Sequence, residues 1–235
     1  HQAGQPGVRL SWSDGFASYN DCNVLATQRL LEAARNAEVD RFVFASSSSV
    51  YGNAERYPVL EDDLPQPHSP YGVTKLAAEQ LCAIYAANFG VQTIALRYFT
   101  VFGPRQRPDM AHHRLVEAAL SQSPFQMYGD GSAIRDFTYV GDVVQANLLA
   151  GQARLSPGTV INVCGGEATS MEELIAAVEA VTGASVPIDE HASKYGDVGR
   201  TGGSNALASS LLGWSSKTSL YDGIQAQVQW HLGQR

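Results

Sequence analysis

Apolar residues recur at helical spacing through residues 20–38, where Val24, Leu25, Leu30, Leu31 and Ala34 form one stripe, and this period predicts an amphipathic helix. The next run, RFVFASSSSVYG, is apolar through Phe42, Val43 and Phe44 and then turns to serine. It reads as a buried strand that presents hydroxyls at its carboxyl end. From Asn53 to Pro70 no period is visible, and four prolines and four acidic residues mark a long loop. Tyr71 then opens a helix with a stripe of Ala77, Leu81, Ile84 and Tyr85 that stops at Gly90, and VQTIALRYFTVFG reads as the next buried strand.

After Gly103 the polar stretch PRQRPDM leads into a helix, FQMYGDGSAIRDFTYV folds about a Gly-Asp-Gly turn, and a further helix starts at Val140. VINVCG is another strand-like run, TSMEELIAAVEAVTG begins with a capping-box pattern and stops at Gly183, and SLYDGIQAQVQWHLG forms a last helix. Helices alternating with buried strands need crossover connections, so the expected fold is α/β, a Rossmann-like doubly wound parallel sheet. No linker interrupts the chain, and a smaller α/β substrate-side part is expected to be interleaved with the sheet.

A chain of 235 residues with 44% hydrophobic content can bury a substantial core, which sets disorder aside. No apolar run approaches membrane-spanning length, and HQAGQPGVRL lacks the layout of a secretory signal. Cys22, Cys82 and Cys164 are odd in number and widely spaced, which suits reduced thiols in a cytoplasm and shows no metal-ligand spacing. The net charge of −7 argues against a general nucleic-acid binder. Against that acidic background Arg97, Arg105, Arg107, Arg114 and Arg135 fall close together, as if gathered around an anionic ligand. A glycine-rich dinucleotide turn is absent, and the expectation is that the first strands of the nucleotide fold lie upstream of His1.

Tyr71 and Lys75 stand four apart and share a helix face. A phenol acting as a base near neutrality needs its pKa lowered by about three units from about 10, worth about 4 kcal/mol. An ammonium about 6 Å away supplies about 3 kcal/mol at an effective dielectric of 20. The serines Ser46 to Ser49, at the strand end upstream, offer a neutral hydroxyl to orient a substrate alcohol for that phenolate. A surface Tyr–Lys pair and a polar turn are the plainer alternatives.

The sequence resembles the extended short-chain dehydrogenase/reductases, sugar-nucleotide 4-epimerases above all. The resemblance is carried by S-S-S-S-V-Y-G (46–52), Y-G-V-T-K (71–75), L-R-Y-F-T-V-F-G-P-R (96–105), R-D-F-T-Y-V-G-D-V (135–143), G-D-V (196–198) and L-L-G-W (211–214). It implies NAD as cofactor and a UDP-sugar as substrate. Ser47, Tyr71 and Lys75 are then the catalytic residues, with Lys75 also on the cofactor ribose. Ala3, Gly4, Gln5, Ala45 and Tyr98 line the cofactor with them, and Asn23 matches a family asparagine or else makes a helix-interior hydrogen bond. Arg135 and Lys194 clamp the diphosphate, and Asp197 and Tyr128 lie on the uridine side. Lys194 and Gly199 depart from arginines common in the family, which leaves Arg200 as a substitute anion contact.

On the same resemblance residues 1–103 and 136–165 form the cofactor domain, and 104–135 and 166–235 the sugar-nucleotide domain. A homodimer through a four-helix interface of the helices from Asn23 and Tyr71 is expected. Ser48 and Ser49 stand where related dehydratases and decarboxylases place acids, which favours an epimerase. Ser48, Ser49 and Thr100 could donate to a sugar carboxylate, with Arg107 adding charge, and this favours UDP-glucuronate. UDP-glucose or UDP-N-acetylglucosamine epimerisation, a dehydratase or decarboxylase, and a non-catalytic binding remnant are the alternatives.

Overall fold

The computed structural model describes residues 1–192 and 196–234. A first helical run joins α1 (Phe16–Tyr19), a π-helical stretch (Asn20–Leu25) and α2 (Ala26–Asn36). Then follow β1 (Phe42–Ser47), α3 (Pro70–Phe89) and β2 (Thr93–Tyr98). Ser69 caps α3 by accepting the Gly72 N–H at 3.1 Å, Pro70 takes the first turn where no N–H is needed, and Gly90 closes the helix at φ 68°.

The remaining elements are β3 (Thr100–Phe102), α4 (Ala111–Ser121), β4 (Phe125–Tyr128), β5 (Ile134–Tyr139) and α5 (Val140–Gln152). After these come β6 (Thr159–Val163), β7 (Ala168–Ser170), α6 (Met171–Thr182), β8 (Ile188–His191), α7 (Ala206–Leu212) and α8 (Leu220–Leu232). The expected capping box is formed: Ser170 accepts from Glu173 N, and the Glu173 carboxylate accepts from Ser170 N.

β1, β2 and β6 pair in parallel in that order, so the carboxyl ends at Ser47, Tyr98 and Val163 lie side by side. Alternation along β2 sends Ala95 to one face with Phe44, Leu31, Ala78, Cys82 and Tyr85. Ile94 and Leu96 go to the other face with Ile161, Ala146, Leu212 and Trp214. Helices therefore cover both faces, as a doubly wound sheet requires. A separate core joins Leu115, Phe125, Phe137, Leu174 and Ile224, between α4, α6, α8 and the strands β4 and β5.

Two sequence expectations change. The run 91–103 is not one strand: β2 ends at Tyr98, buried Phe99 bonds its N–H to Val163 O at 3.1 Å, and β3 leaves the sheet to pair in parallel with β5. The helix stripes are also rotated. α3 buries Thr74, Lys75, Ala78, Glu79, Cys82 and Tyr85 and leaves Ile84 51% exposed, while Leu25 and Leu30 remain outward and Asn23, Thr27 and Leu31 turn in. The inward faces hold buried polar residues, which a hydrophobic period cannot register.

His112 is buried between the rings of Phe102 and Phe137, at 4.6 and 4.4 Å, and neither ring nitrogen has a partner among the described residues. Burial pushes it down to about 3. Its folded pKa lies below the unfolded value near 6.5, so the unfolded chain binds the proton first as pH falls. This site should cost stability by up to about 1.4 kcal/mol per pH unit between about 6.5 and 3. His112→Leu should flatten that slope in urea denaturation series; an unchanged slope would place the acid sensitivity elsewhere.

Candidate active site

Ser47 terminates β1 and its Oγ accepts the Ser49 N–H at 3.1 Å, which starts the single turn Ser48–Val50. The Tyr71 phenol, one residue into α3, lies within hydrogen-bonding reach of Ser47. One helical turn on, the Lys75 ammonium sits 6.0 Å from the Tyr71 ring centre and 5.2 Å from that of Phe44, and donates to Ala45 O at 2.8 Å. The structure thus brings Ser47, Tyr71, Lys75 and Ala45 together.

The electrostatics differ from the sequence expectation that Lys75 lowers the Tyr71 pKa. Burial pushes the Tyr71 phenol up, and the opposing pull comes from the Ser47 hydrogen bond and the charge of Arg107. Burial also pushes Lys75 down, to about 8. Lys75 is not among the groups that pull the phenol down, and burial outweighs the two that are.

Asn23 ties the opening segment to this centre. Its Nδ2 donates to Gln5 O and to Thr74 Oγ1, both at 3.0 Å, and its Oδ1 accepts the Gln5 N–H at 2.7 Å. It does so from the π-helical stretch, where the extra residue per turn re-aims side chains. Gly4 lies so close that a Cβ there would sit 2.8 Å from Asn23 Oδ1 and 3.7 Å from Lys75 Nζ. Tyr98, at the end of the neighbouring strand, donates to Asn147 Oδ1 at 2.7 Å and accepts from Gln2 Nε2 at 2.8 Å. Gln5, Gly4, Ala45, Lys75 and Tyr98 therefore share one sheet edge.

A cleft of about 150 Å³ opens beside the serines. Ser48, Ser49, Thr100, Arg135 and Asp197 line it, all five singled out from the sequence, together with Val8, Gly52, His68, Thr201 and others. Arg135 donates to Ile134 O at 2.8 Å, and burial lowers its pKa against the opposing pull of Asp197. Arg9 forms an ion pair with Asp197 at 3.1 Å and lies over the Tyr128 ring at 4.6 Å, so Tyr128 reaches the cleft through Arg9.

The gathering of five arginines is corrected. Arg135 alone of the five lines the cleft. Arg97 is buried in an ion pair with Glu79, Arg114 lies over Phe125, and Arg105 adopts φ 65° in a loop. Arg107 pairs with Asp109 at 2.9 Å and stands on the Tyr71 side, not beside Ser48 and Ser49. Arg200 turns onto the Tyr57 ring at 4.7 Å rather than into the cleft. Lys194 lies outside the described residues.

Sequence reading missed His68 and Thr201 in the cleft, Arg9 paired with Asp197 at its border, and Asn147 beside Tyr98. Arg9 had a signal, since a lone cation sits in the same opening segment as Gly4 and Gln5. The others lie in loops and on a helix with no local pattern.

Lys75 offers three N–H groups and has one described acceptor, and the Gly4 backbone passes it with no side chain to fill the cradle, where a Cβ would sit 3.7 Å from Nζ. A dinucleotide's ribose hydroxyls fit such an edge, at the carboxyl ends of parallel strands.

Comparison with known proteins points the same way. Residues 1–164 match the model of the NAD dependent epimerase/dehydratase family. An uncharacterized UDP-glucose epimerase of Bacillus subtilis is 41% identical over 231 residues, covering 98% of this chain and 72% of its own. The crystal structure of UDP-glucuronic acid 4-epimerase from Bacillus cereus in complex with UDP-glucuronic acid and NAD matches with a TM-score of 0.96 at 42% identity, over 100% of this chain and 75% of that one. MoeE5 in complex with UDP-glucuronic acid and NAD matches with a TM-score of 0.95 at 46% identity, over 100% of this chain and 79% of that one. MoeE5 also has a structure with UDP-glucose and NAD.

Proposed function

The chain belongs to the NAD dependent epimerase/dehydratase family, and from that premise we propose that it is an NAD-dependent 4-epimerase of a UDP-sugar, converting UDP-glucuronate to UDP-galacturonate by transient oxidation at C4. The observation that carries this reading is the cleft in which the hydroxyls of Ser48, Ser49 and Thr100 face the same space as Arg135, next to Ser47 and Tyr71.

NAD, when bound, supplies the acceptor and then the donor of the C4 hydride and a positive charge near the phenol. Gly4, Gln5, Ala45, Lys75 and Tyr98 would hold it. Tyr71 takes the proton of the sugar 4-hydroxyl, which Ser47 orients, and returns a proton when the hydride comes back to the other face. Lys75 holds its charge beside the phenol. Arg135 anchors the diphosphate while the 4-ketose turns over, and Asp197 with Tyr128 borders the nucleoside. Ser48, Ser49 and Thr100 donate to the sugar carboxylate, which keeps the 4-keto acid from losing carbon dioxide.

UDP-glucose is the second reading, favoured by the name of the Bacillus subtilis relative and by the UDP-glucose complex of MoeE5. Separate incubations of the purified protein with each sugar nucleotide, followed by proton NMR, decide between them. Epimerisation of UDP-glucuronate is expected; turnover of UDP-glucose alone would remove the carboxylate reading.

The division into a cofactor part (1–103 and 136–165) and a sugar-nucleotide part (104–135 and 166–235) belongs to the same proposal. α7 and Trp214 pack onto the parallel sheet despite their place in the second part. No described helix is long and apolar enough to cross a membrane, and the three cysteines are unpaired, in keeping with a cytoplasmic site.

A homodimer is the last part of the proposal. Its support is the outward apolar set of Leu25, Leu30, Val73 and Ile84 on the first helical run and α3. Ile84→Asp should convert a dimer to a monomer in sedimentation experiments; a wild-type monomer would remove the homodimer, and a variant that remains dimeric would place the contact elsewhere.

A further inference from the structure

Asp136 is 2% exposed and lies between cleft-lining Arg135 and the core residue Phe137. Its carboxylate accepts the Gly165 N–H at 2.6 Å, the Gly166 N–H at 3.3 Å and the Gly203 N–H at 3.4 Å. Its own N–H donates to Thr201 Oγ1 at 3.1 Å. Gly165 and Gly166 follow β6, while Gly203 and Thr201 belong to a strap, residues 196–204, that runs beside β5 and the Val59 segment. One carboxylate thus joins the end of the parallel sheet to the strap.

That strap supplies Gly196, Asp197, Val198 and Thr201 to the cleft wall. The approach is close enough to demand glycine: a Cβ on Gly165 would sit 2.0 Å from Phe137 O, and one on Gly203 would sit 2.4 Å from Phe99 Cζ. No ion pair reaches Asp136 among the described residues. Burial pushes its carboxyl up to about 6 against the pull of those N–H bonds. A buried carboxylate without a counter-ion is costly to retain, and an apolar side chain would fill the same space at lower cost if packing were its purpose.

We infer that Asp136 is a positioning residue for the sugar nucleotide, fixing the strap and the neighbouring Arg135 against the sheet so that the cleft wall is in register before substrate arrives. This rests on the reading of the cleft as the sugar-nucleotide site. Pre-set walls lower the ordering cost of binding, so their loss appears in affinity before it appears in the chemical step.

Asp136→Asn removes the charge, keeps the size and turns an NH2 group toward backbone N–H donors. It should raise the KM for the UDP-sugar and the Kd for UDP by about tenfold, with kcat within about threefold and bound NAD retained. Thr201→Val should shift the KM in the same direction, and Thr201→Ser, which keeps the hydroxyl that accepts the Asp136 N–H, should recover most of the UDP affinity that Thr201→Val loses. If Asp136→Asn does not fold, the Thr201 pair decides. A fall in kcat and NAD content at unchanged KM would make Asp136 merely structural and overturn the inference, as would unchanged UDP affinity in both Asp136→Asn and Thr201→Val. Failure of the wild-type protein to bind UDP or turn over any UDP-sugar would instead sink the reading of the cleft itself.

Discussion

Tyr71→Phe should lower kcat by about a thousandfold while the protein keeps its fold and its bound NAD. The substitution deletes one oxygen, the atom to which the proposed function gives the proton at C4. General acid–base groups contribute about 10²–10⁴-fold. The neighbours explain why nothing substitutes for it. Ser47 Oγ is occupied by the Ser49 N–H, and Lys75 Nζ donates to Ala45 O, so neither is placed as a free base. The ring itself packs edge-on to Tyr19 at 6.1 Å, a contact that Phe retains, so stability should change by less than about 1 kcal/mol. Initial rates by NMR and the NAD released on denaturation measure both halves. A kcat within tenfold of wild type would remove Tyr71 from the chemistry.

Glu79→Gln should be among the most destabilising single changes, by about 3–5 kcal/mol of the roughly 5–15 kcal/mol that hold such a chain folded. Glu79 and Arg97 are both 3% exposed and meet at 2.5 and 3.0 Å. Ser46 Oγ donates to the same carboxylate at 2.6 Å, and Arg97 also donates to the Tyr51 hydroxyl and to Glu61 O. Burial works against the charge on Arg97, but the Glu79 carboxylate outweighs it and holds the guanidinium protonated. Removing the negative partner leaves that cation buried and uncompensated. Glu79 continues the face of Tyr71 and Lys75 one turn further along α3, and Ser46 adjoins Ser47, so the damage should reach activity as well. Urea denaturation measures the loss; a change under 1 kcal/mol would mean that water reaches Arg97.

The parallel sheet was legible because a buried strand shows itself as a short apolar run, and β1, β2 and β6 each do. The serines at the end of β1 and the Tyr71–Lys75 spacing pointed to Ser47, Tyr71 and Lys75, which the fold does bring together. The turn at Phe99 was not legible, because the residues on either side of it are equally β-prone and only the pairing with β5 separates β3 from β2. Nor was the fate of the arginines. Charge density along the chain says nothing of direction, and Arg97 points into the core while Arg135, 38 positions later, points into the cleft. The helix stripes failed for a related reason: α3 turns Lys75 and Glu79 inward and Ile84 outward, the reverse of what a hydrophobic period assumes. Asp136 was hidden inside a motif read for its arginine.

The proposed function requires oxidation at C4 followed by return of the same hydrogen, within a site that holds the cofactor throughout. UDP-glucuronate labelled with deuterium at C4, incubated with the purified protein and followed by NMR, tests that directly. The predicted product is UDP-galacturonate with the deuterium still on C4. A product whose C4 carries solvent hydrogen, a decarboxylated pentose, or no 4-epimer at all would contradict it.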